Sequence, residues 1–115
     1  MQTLNILITG AGRRIGRELA LAAAQAGANV AIHCHSSAEG AQETAQEIRS
    51  LGRRAVTLFA DLAQLDQVSS LIETAQRELG DLTALVNNAS IFEPLDWETT
   101  TLSAWERHLA INLTA

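Results

Sequence analysis

The 115 residues include no tyrosine, and all eight basic residues are arginines, so lysine is missing as well. A mechanism that needs a phenolic acid or a side-chain amine cannot be completed by this chain alone, be it a Schiff base, a lysine phosphate clamp or a Tyr–Lys proton donor. The single cysteine, Cys34, has no internal disulfide partner. No basic segment precedes the first apolar stretch in residues 1–10, so the expectation is a cytoplasmic chain without a cleaved signal. Long hydrophobic runs are also missing. The longest, Leu19 to Ala24, falls far below the ~20 residues of a membrane-spanning helix, and no membrane partner is expected. With 8 basic against 13 acidic residues the formal charge is -5. The only basic pairs are Arg13-Arg14 and Arg53-Arg54, which argues against nucleic-acid binding by phosphate neutralisation and leaves open a small anion bound locally.

What is present alternates between short apolar runs and helical stripes, without repeats or a low-complexity linker. Leu4 to Thr9 reads as a strand buried on both faces. A helix follows whose apolar stripe is Ile15, Leu19, Ala22, Ala23 and Ala26, with Gly27 at its end. Val30 to Cys34 is a second strand. Ser36 and Glu39 have the form of a capping box opening a helix striped by Ala38, Ala41, Ala45 and Ile48, which Gly52 ends. Ala55 to Phe59 is a third strand. Leu65, Val68, Leu71, Ile72, Ala75 and Leu79 mark a third helix closed by Gly80, and Leu82 to Val86 is a fourth strand. Past Pro94 a last helix is expected near Ser103 and Glu106, with Ser103 as its cap and Trp105, Leu109 and Asn112 on one side.

Strands separated by helices imply βαβ crossovers, and hence an α/β fold: a Rossmann-like, doubly wound parallel sheet. With four strands and no closing element after residue 115, residues 1–115 read as one nucleotide-binding domain, its N-terminal part only. A complete four-stranded domain is the alternative.

Thr9-Gly10-Ala11-Gly12-Arg13-Arg14-Ile15-Gly16 stands between the first strand and the first helix. Glycines there let the backbone turn sharply and approach a pyrophosphate, whose charge is received by the start of the helix. A purely structural tight turn is the competing reading. A fold that prefers the unphosphorylated cofactor usually ends its second strand near an acid that binds the ribose hydroxyls. Here that place holds His33-Cys34-His35-Ser36-Ser37. No carboxylate repels a 2'-phosphate, the serines can donate to it, and Arg13 and Arg14 supply charge, so NADP(H) is the expected cofactor.

These residues resemble the short-chain dehydrogenase/reductase family, and within it the pteridine reductase-like branch. The glycine loop corresponds to Thr9 through Gly16, with Arg14 where most members have the middle glycine, a feature of the pteridine reductases. His33-x-His35-x-Ser37 with Ala38, and Asn87-Asn88-Ala89-Ser90-x-Phe92-x-Pro94, are similar to the same branch, and the resemblance runs over essentially the whole chain. It implies a cofactor site of Gly10, Arg13, Arg14, Ile15, Gly16, His35, Ser36, Ser37, Asp61, Leu62, Asn88, Ala89 and Ser90. Asp61 and Leu62 would flank the adenine, and Asn87 to Ser90 would brace the fourth strand beside the ribose and nicotinamide. Where pteridine reductases can carry an arginine beside the 2'-phosphate, this chain has Ser36. The implied substrate site is Arg14, Ser90 and Phe92, with Phe92 stacked on a flat ring opposite the nicotinamide. On residue type alone, Asp61 reads equally as a turn cap and Phe92 as core.

Asn112 resembles the family's catalytic asparagine, which bends its helix and holds a water in a proton relay. From sequence alone, a structurally hydrogen-bonded amide reads as well. The relay ends on a Tyr-x-x-x-Lys pair whose residue types are missing, so the chain by itself is expected to bind cofactor without turnover. The resemblance implies an NADPH-dependent reductase of a small molecule, a pteridine or dihydrofolate type, and a homotetramer when full length. The alternatives are a carbonyl reductase such as a 3-oxoacyl-carrier-protein reductase, or a non-catalytic nucleotide-binding module. No metal is expected, because His33, Cys34 and His35 alternate across a strand. Cys34 reads as a small buried side chain, His108 as a solvated helix residue, and Trp97 and Trp105 as packing or subunit contacts.

Overall fold

A computed structural model describes residues 3–36, 38–89 and 100–114. Four strands, β1 (Asn5–Ile8), β2 (Asn29–Cys34), β3 (Ala55–Phe59) and β4 (Ala84–Val86), form one parallel sheet in the order β3-β2-β1-β4. They alternate with helices α1 (Arg14–Gln25), α2 (Ala38–Ser50) and α3 (Leu65–Leu79). The α/β, Rossmann-like architecture expected from the alternation is thus present.

The register explains how the two faces are filled. Leu7 pairs with Ala31 and Ile8 with Ile32, and successive strand residues point to opposite faces. Ile8, Val30 and Ile32 therefore pack under α1 and α2 with Ala20, Ala24, Ala41, Ala45 and Ile48. Leu7, Ala31 and Leu58 face α3 with Leu71, Ala75 and Leu79. β2 is buried along its whole length. β4, with one neighbour among the described strands, leaves Leu85 45% exposed.

The stripe on α1 differs from the sequence expectation. Its buried residues are Gly16, Ala20 and Ala24, whereas Ile15 is 70% exposed and Leu19 also faces outward. Close packing is the reason. A Cβ on Gly16 would lie 2.2 Å from the Gly10 carbonyl oxygen, so only the small-residue face can sit against the loop and sheet. Arg17 on the flank of α1 reaches α2, donating to Thr44 Oγ1 at 3.3 Å and pairing with Glu47. On α3 the inner part of the expected stripe is buried, but Leu65 and Ile72 are exposed.

The N-terminal ends of the strands are joined by a buried amide network. Asn5 Nδ2 donates to the carbonyls of Leu79 and Asp81, Asn5 Oδ1 accepts from Asn29 Nδ2, and Asn29 Oδ1 accepts from the Arg54 amide. Buried amides with all these partners fix the strand register.

The last helix, α4 (Leu102–Leu109), begins earlier than expected. Thr101, not Ser103, is its N-cap, with Oγ1 accepting from the Ala104 amide at 3.0 Å. Thr101 has the extended backbone that a cap requires, whereas Ser103 lies one residue inside the helix. His108 is not freely solvated: it is half-buried, with Nδ1 on the Ala104 carbonyl at 2.8 Å. Trp105 is 60% exposed. No described helix is long and apolar enough to cross a membrane.

Candidate functional site

Parallel strands place all their C-terminal ends on one edge of the sheet. The chain leaves β1 toward β2 on one side and later returns to β4 on the other, and such a switch in strand order opens a crevice. There lies a cleft of about 460 Å³ lined by the glycine loop, the end of β2, the turn after β3 and the segment after β4.

The glycine loop is shaped by two close approaches and one strained residue. Gly10 has φ +65°, and a Cβ there would meet the Ala89 Cα at 2.9 Å. Gly16 sits against Gly10 and the Asn88 side chain, closing the loop on itself. Arg14, in the place of the family's middle glycine, is the one non-glycine residue with positive φ, 56°, among the described residues. A left-handed conformation costs an L-residue roughly 1–2 kcal/mol, so the guanidinium is retained at a cost in stability. The α1 ladder begins with the Arg17 amide on the Arg13 carbonyl, and Arg14, Ile15 and Gly16 ahead of it line the cleft.

Thr9 and Asn88 tie the loop to the end of β4. Thr9 Oγ1 accepts from the amides of Asn88 and Ala89, each at 2.9 Å. Asn88 Nδ2 returns donors to the carbonyls of Thr9 and Gly10. Asp61 Oδ1 accepts from the Ala63 amide at 3.0 Å, which realises the turn-cap reading while leaving Asp61 on the cleft wall.

Of the residues expected at the cofactor site, Gly10, Arg13, Arg14, Ile15, Gly16, His35, Ser36, Asp61, Leu62, Asn88 and Ala89 come together here. Ser37, Ser90 and Phe92 lie outside the described residues, as do Pro94 and Trp97. Asn112 lines a second cavity of about 240 Å³ with Asn87 and Leu113, and the two cavities share Leu62, Ala89 and Ile111. Its helix widens to a π-helical turn over Ala110–Thr114. Such turns often mark functional positions. Sequence reasoning missed Arg107 and gave His33, though named in the motif at the end of β2, no role of its own. Arg107 reaches the cleft from α4, a position that only the tertiary fold reveals. His33 is buried at 2% exposure between the loop and β3, and its signal was a polar residue inside an apolar strand. Cys34 is buried, which pushes its thiol pKa up. Among the described residues no cluster could hold a metal ion.

Among the described residues, the cleft wall carries three arginines, Arg13, Arg14 and Arg107, and one carboxylate, Asp61. It is therefore suited to an anionic ligand, with apolar contact from Ile15, Leu62 and Ile111. Residues 4–115 match the family described as short chain dehydrogenase. The chain belongs to that family.

Several relatives and solved structures illustrate the membership. The hydroxynaphthalene reductase of Aspergillus fumigatus is 40% identical over 111 residues, which are 95% of this chain and 40% of that protein. A short-chain type dehydrogenase/reductase of Picea abies is 37% identical over 114 residues, 92% of this chain and 42% of the relative. A short chain dehydrogenase from Burkholderia cenocepacia, solved in complex with NADP, superposes with a TM-score of 0.95 at 37% identity, covering 98% of this chain and 46% of that one. FolM alternative dihydrofolate reductase 1 from Brucella canis, complexed with NADP, gives 0.89 at 34% identity, covering 96% and 44%. The chain thus spans less than half the length of each of these proteins.

Proposed function

We propose that this chain is the cofactor-binding part of an NADPH-dependent short-chain reductase acting on a fused-ring substrate of the pteridine or dihydrofolate type. The observation that carries the reading is the cleft with its arginine-rich wall and no acid at the end of β2. The residues fit the cofactor. The loop from Gly10 to Gly16 offers close backbone approach to a pyrophosphate, Arg13, Arg14 and Ser36 offer charge and a donor to a 2'-phosphate, and Asp61 and Leu62 border the adenine end. When bound, NADPH supplies a hydride to an electron-poor C=N, C=C or C=O bond. Asn112, on its π-helical turn, is assigned to holding a water in the proton path. Arg14 is assigned a second contact at the polar edge of the substrate, with Ser90 and Phe92. The final proton donor in this mechanism is a Tyr-x-x-x-Lys pair, so turnover requires those residue types in addition to these 115 residues.

A second reading within the same chemistry is a hydroxynaphthalene-type ketone reductase, which the 40% identity to the Aspergillus fumigatus protein supports. Assays of the intact protein with NADPH and dihydrobiopterin, dihydrofolate, a hydroxynaphthalenone and an acetoacetyl thioester separate the readings. The proposal expects turnover of a pterin or folate. Exclusive turnover of the naphthalenone would favour the second reading, and turnover of the thioester alone would exclude both.

A further inference from the structure

His33 lies at the end of β2 with both ring nitrogens engaged. Nδ1 lies 3.0 Å from the Gly10 amide nitrogen and Nε2 2.9 Å from the Ala60 carbonyl oxygen. An amide can only donate and a carbonyl only accept, so the two partners select one species: neutral imidazole with its proton on Nε2. The His33 carbonyl also accepts from the Ala11 amide at 2.9 Å. One residue therefore secures two consecutive amides of the glycine loop and connects them to Ala60, next to Asp61 and Leu62. Both connected segments form walls of the cleft.

We propose that His33 is a positioning residue for the cofactor cleft: its neutral Nε2–H tautomer clamps the glycine loop to the turn after β3, and proton uptake opens the clamp. This rests on the cofactor reading above for its consequence, although the clamp itself stands on the geometry. A second proton would sit on Nδ1 and face the Gly10 N–H, leaving two donors opposed in a buried space. The charged and titratable groups around the same cleft are His35 on its own strand, Arg13 and Arg14 in the loop, Asp61 after β3 and Arg107 on α4, with Cys34 adjacent. Burial lowers the pKa of His33 from its ordinary value; the Ala60 hydrogen bond works the other way and His35 adds to the lowering.

The test uses the intact protein, with His33→Leu removing both ring contacts and His33→Asn keeping an acceptor near the Nδ1 position. ¹⁵N NMR at neutral pH is expected to show a protonated Nε2 and an unprotonated Nδ1. Gly10 amide exchange is expected to be slow in the wild type and His33→Asn, and roughly tenfold faster in His33→Leu. NADPH affinity should fall roughly two- to tenfold in His33→Leu, with His33→Asn restoring most of it. On acidification the NADPH affinity of the wild type should weaken relative to that of His33→Leu. A protonated Nδ1 at neutral pH, or unchanged Gly10 exchange in a folded His33→Leu, would overturn the clamp. Should His33→Leu fail to fold, the wild-type tautomer and the exchange in His33→Asn still decide. A protein that binds no NADPH would refute the cofactor reading, whereas the NMR result would still judge the clamp.

Discussion

Gly40 of α2 rests directly on Gly12 of the glycine loop: a Cβ at Gly40 would lie 2.3 Å from the Gly12 carbonyl oxygen. The first turn of α2 is therefore packed directly against the glycine loop, although the two glycines are 28 positions apart in sequence. Gly40→Ala is expected to lower stability by about 1–3 kcal/mol through overpacking and to weaken NADPH binding. Gln46→Ala, at an exposed position of the same helix, should do neither. Equal melting temperatures and affinities for Gly40→Ala and Gln46→Ala would show that the contact is dispensable.

Thr9 is the hub between β1 and the segment after β4. Thr9→Val keeps the shape but leaves the Asn88 and Ala89 amides without their acceptor. The expected cost is about 1–3 kcal/mol, accompanied by weaker cofactor binding, while Thr9→Ser retains both properties. Urea melts and NADPH titrations of the two variants measure this. A silent Thr9→Val would mean that solvent replaces the hydroxyl without loss.

The amide network at the opposite end of the strands should affect stability alone. Asn5→Leu strands the carbonyls of Leu79 and Asp81 and the Asn29 amide, at about 1–3 kcal/mol. Because Asn5 begins β1 and the cleft lies beyond its end, NADPH affinity of the folded variant is expected to stay at the wild-type level. A change in affinity without a change in stability would contradict that separation.

Acid should destabilise the protein through His33. Its pKa in the folded state is lowered, so between that value and the unfolded value of about 6.5 the unfolded chain binds more protons. The His33 contribution is fully present above pH ~6.5, declines as pH falls below it, and stops declining beneath the folded value. Denaturant melts from pH 8 to pH 5 should show this slope in the wild type and a smaller one in His33→Asn. Parallel slopes would assign the acid sensitivity to other groups.

Much of this was legible in the sequence because the α/β pattern repeats three times: short runs such as Val30 to Cys34, then helices ended by Gly27, Gly52 and Gly80. The glycine loop could be located because it follows a strand and opens a helix, whereas Asp61, Leu62 and Asn88 were singled out by the family resemblance; parallel strands then bring them to one edge. The inward face of α1 was not legible. Periodicity favours large side chains such as Ile15 and Leu19, whereas close approach to Gly10 selects Gly16 and Ala20. Nor was Arg107, which approaches from a helix distant in sequence, or His33, whose role needs two partners 23 and 27 positions away. The left-handed backbone of Arg14 is a matter of conformation, although its place in a glycine position already pointed to it.

The central claim is that this cleft binds NADPH through its arginines, and Arg14→Gly tests it most directly. Glycine adopts φ 56° without the penalty borne by Arg14, so the variant should be as stable as the wild type or more so, by up to roughly 1 kcal/mol. Its NADPH affinity should fall about tenfold or more, the worth of a charge-assisted contact, and its preference for NADPH over NADH should shrink. Fluorescence titration of NADPH into the intact wild-type and Arg14→Gly proteins, with thermal melts alongside, makes the measurement. No binding by the wild type, or equal affinity in the two proteins, would contradict the account.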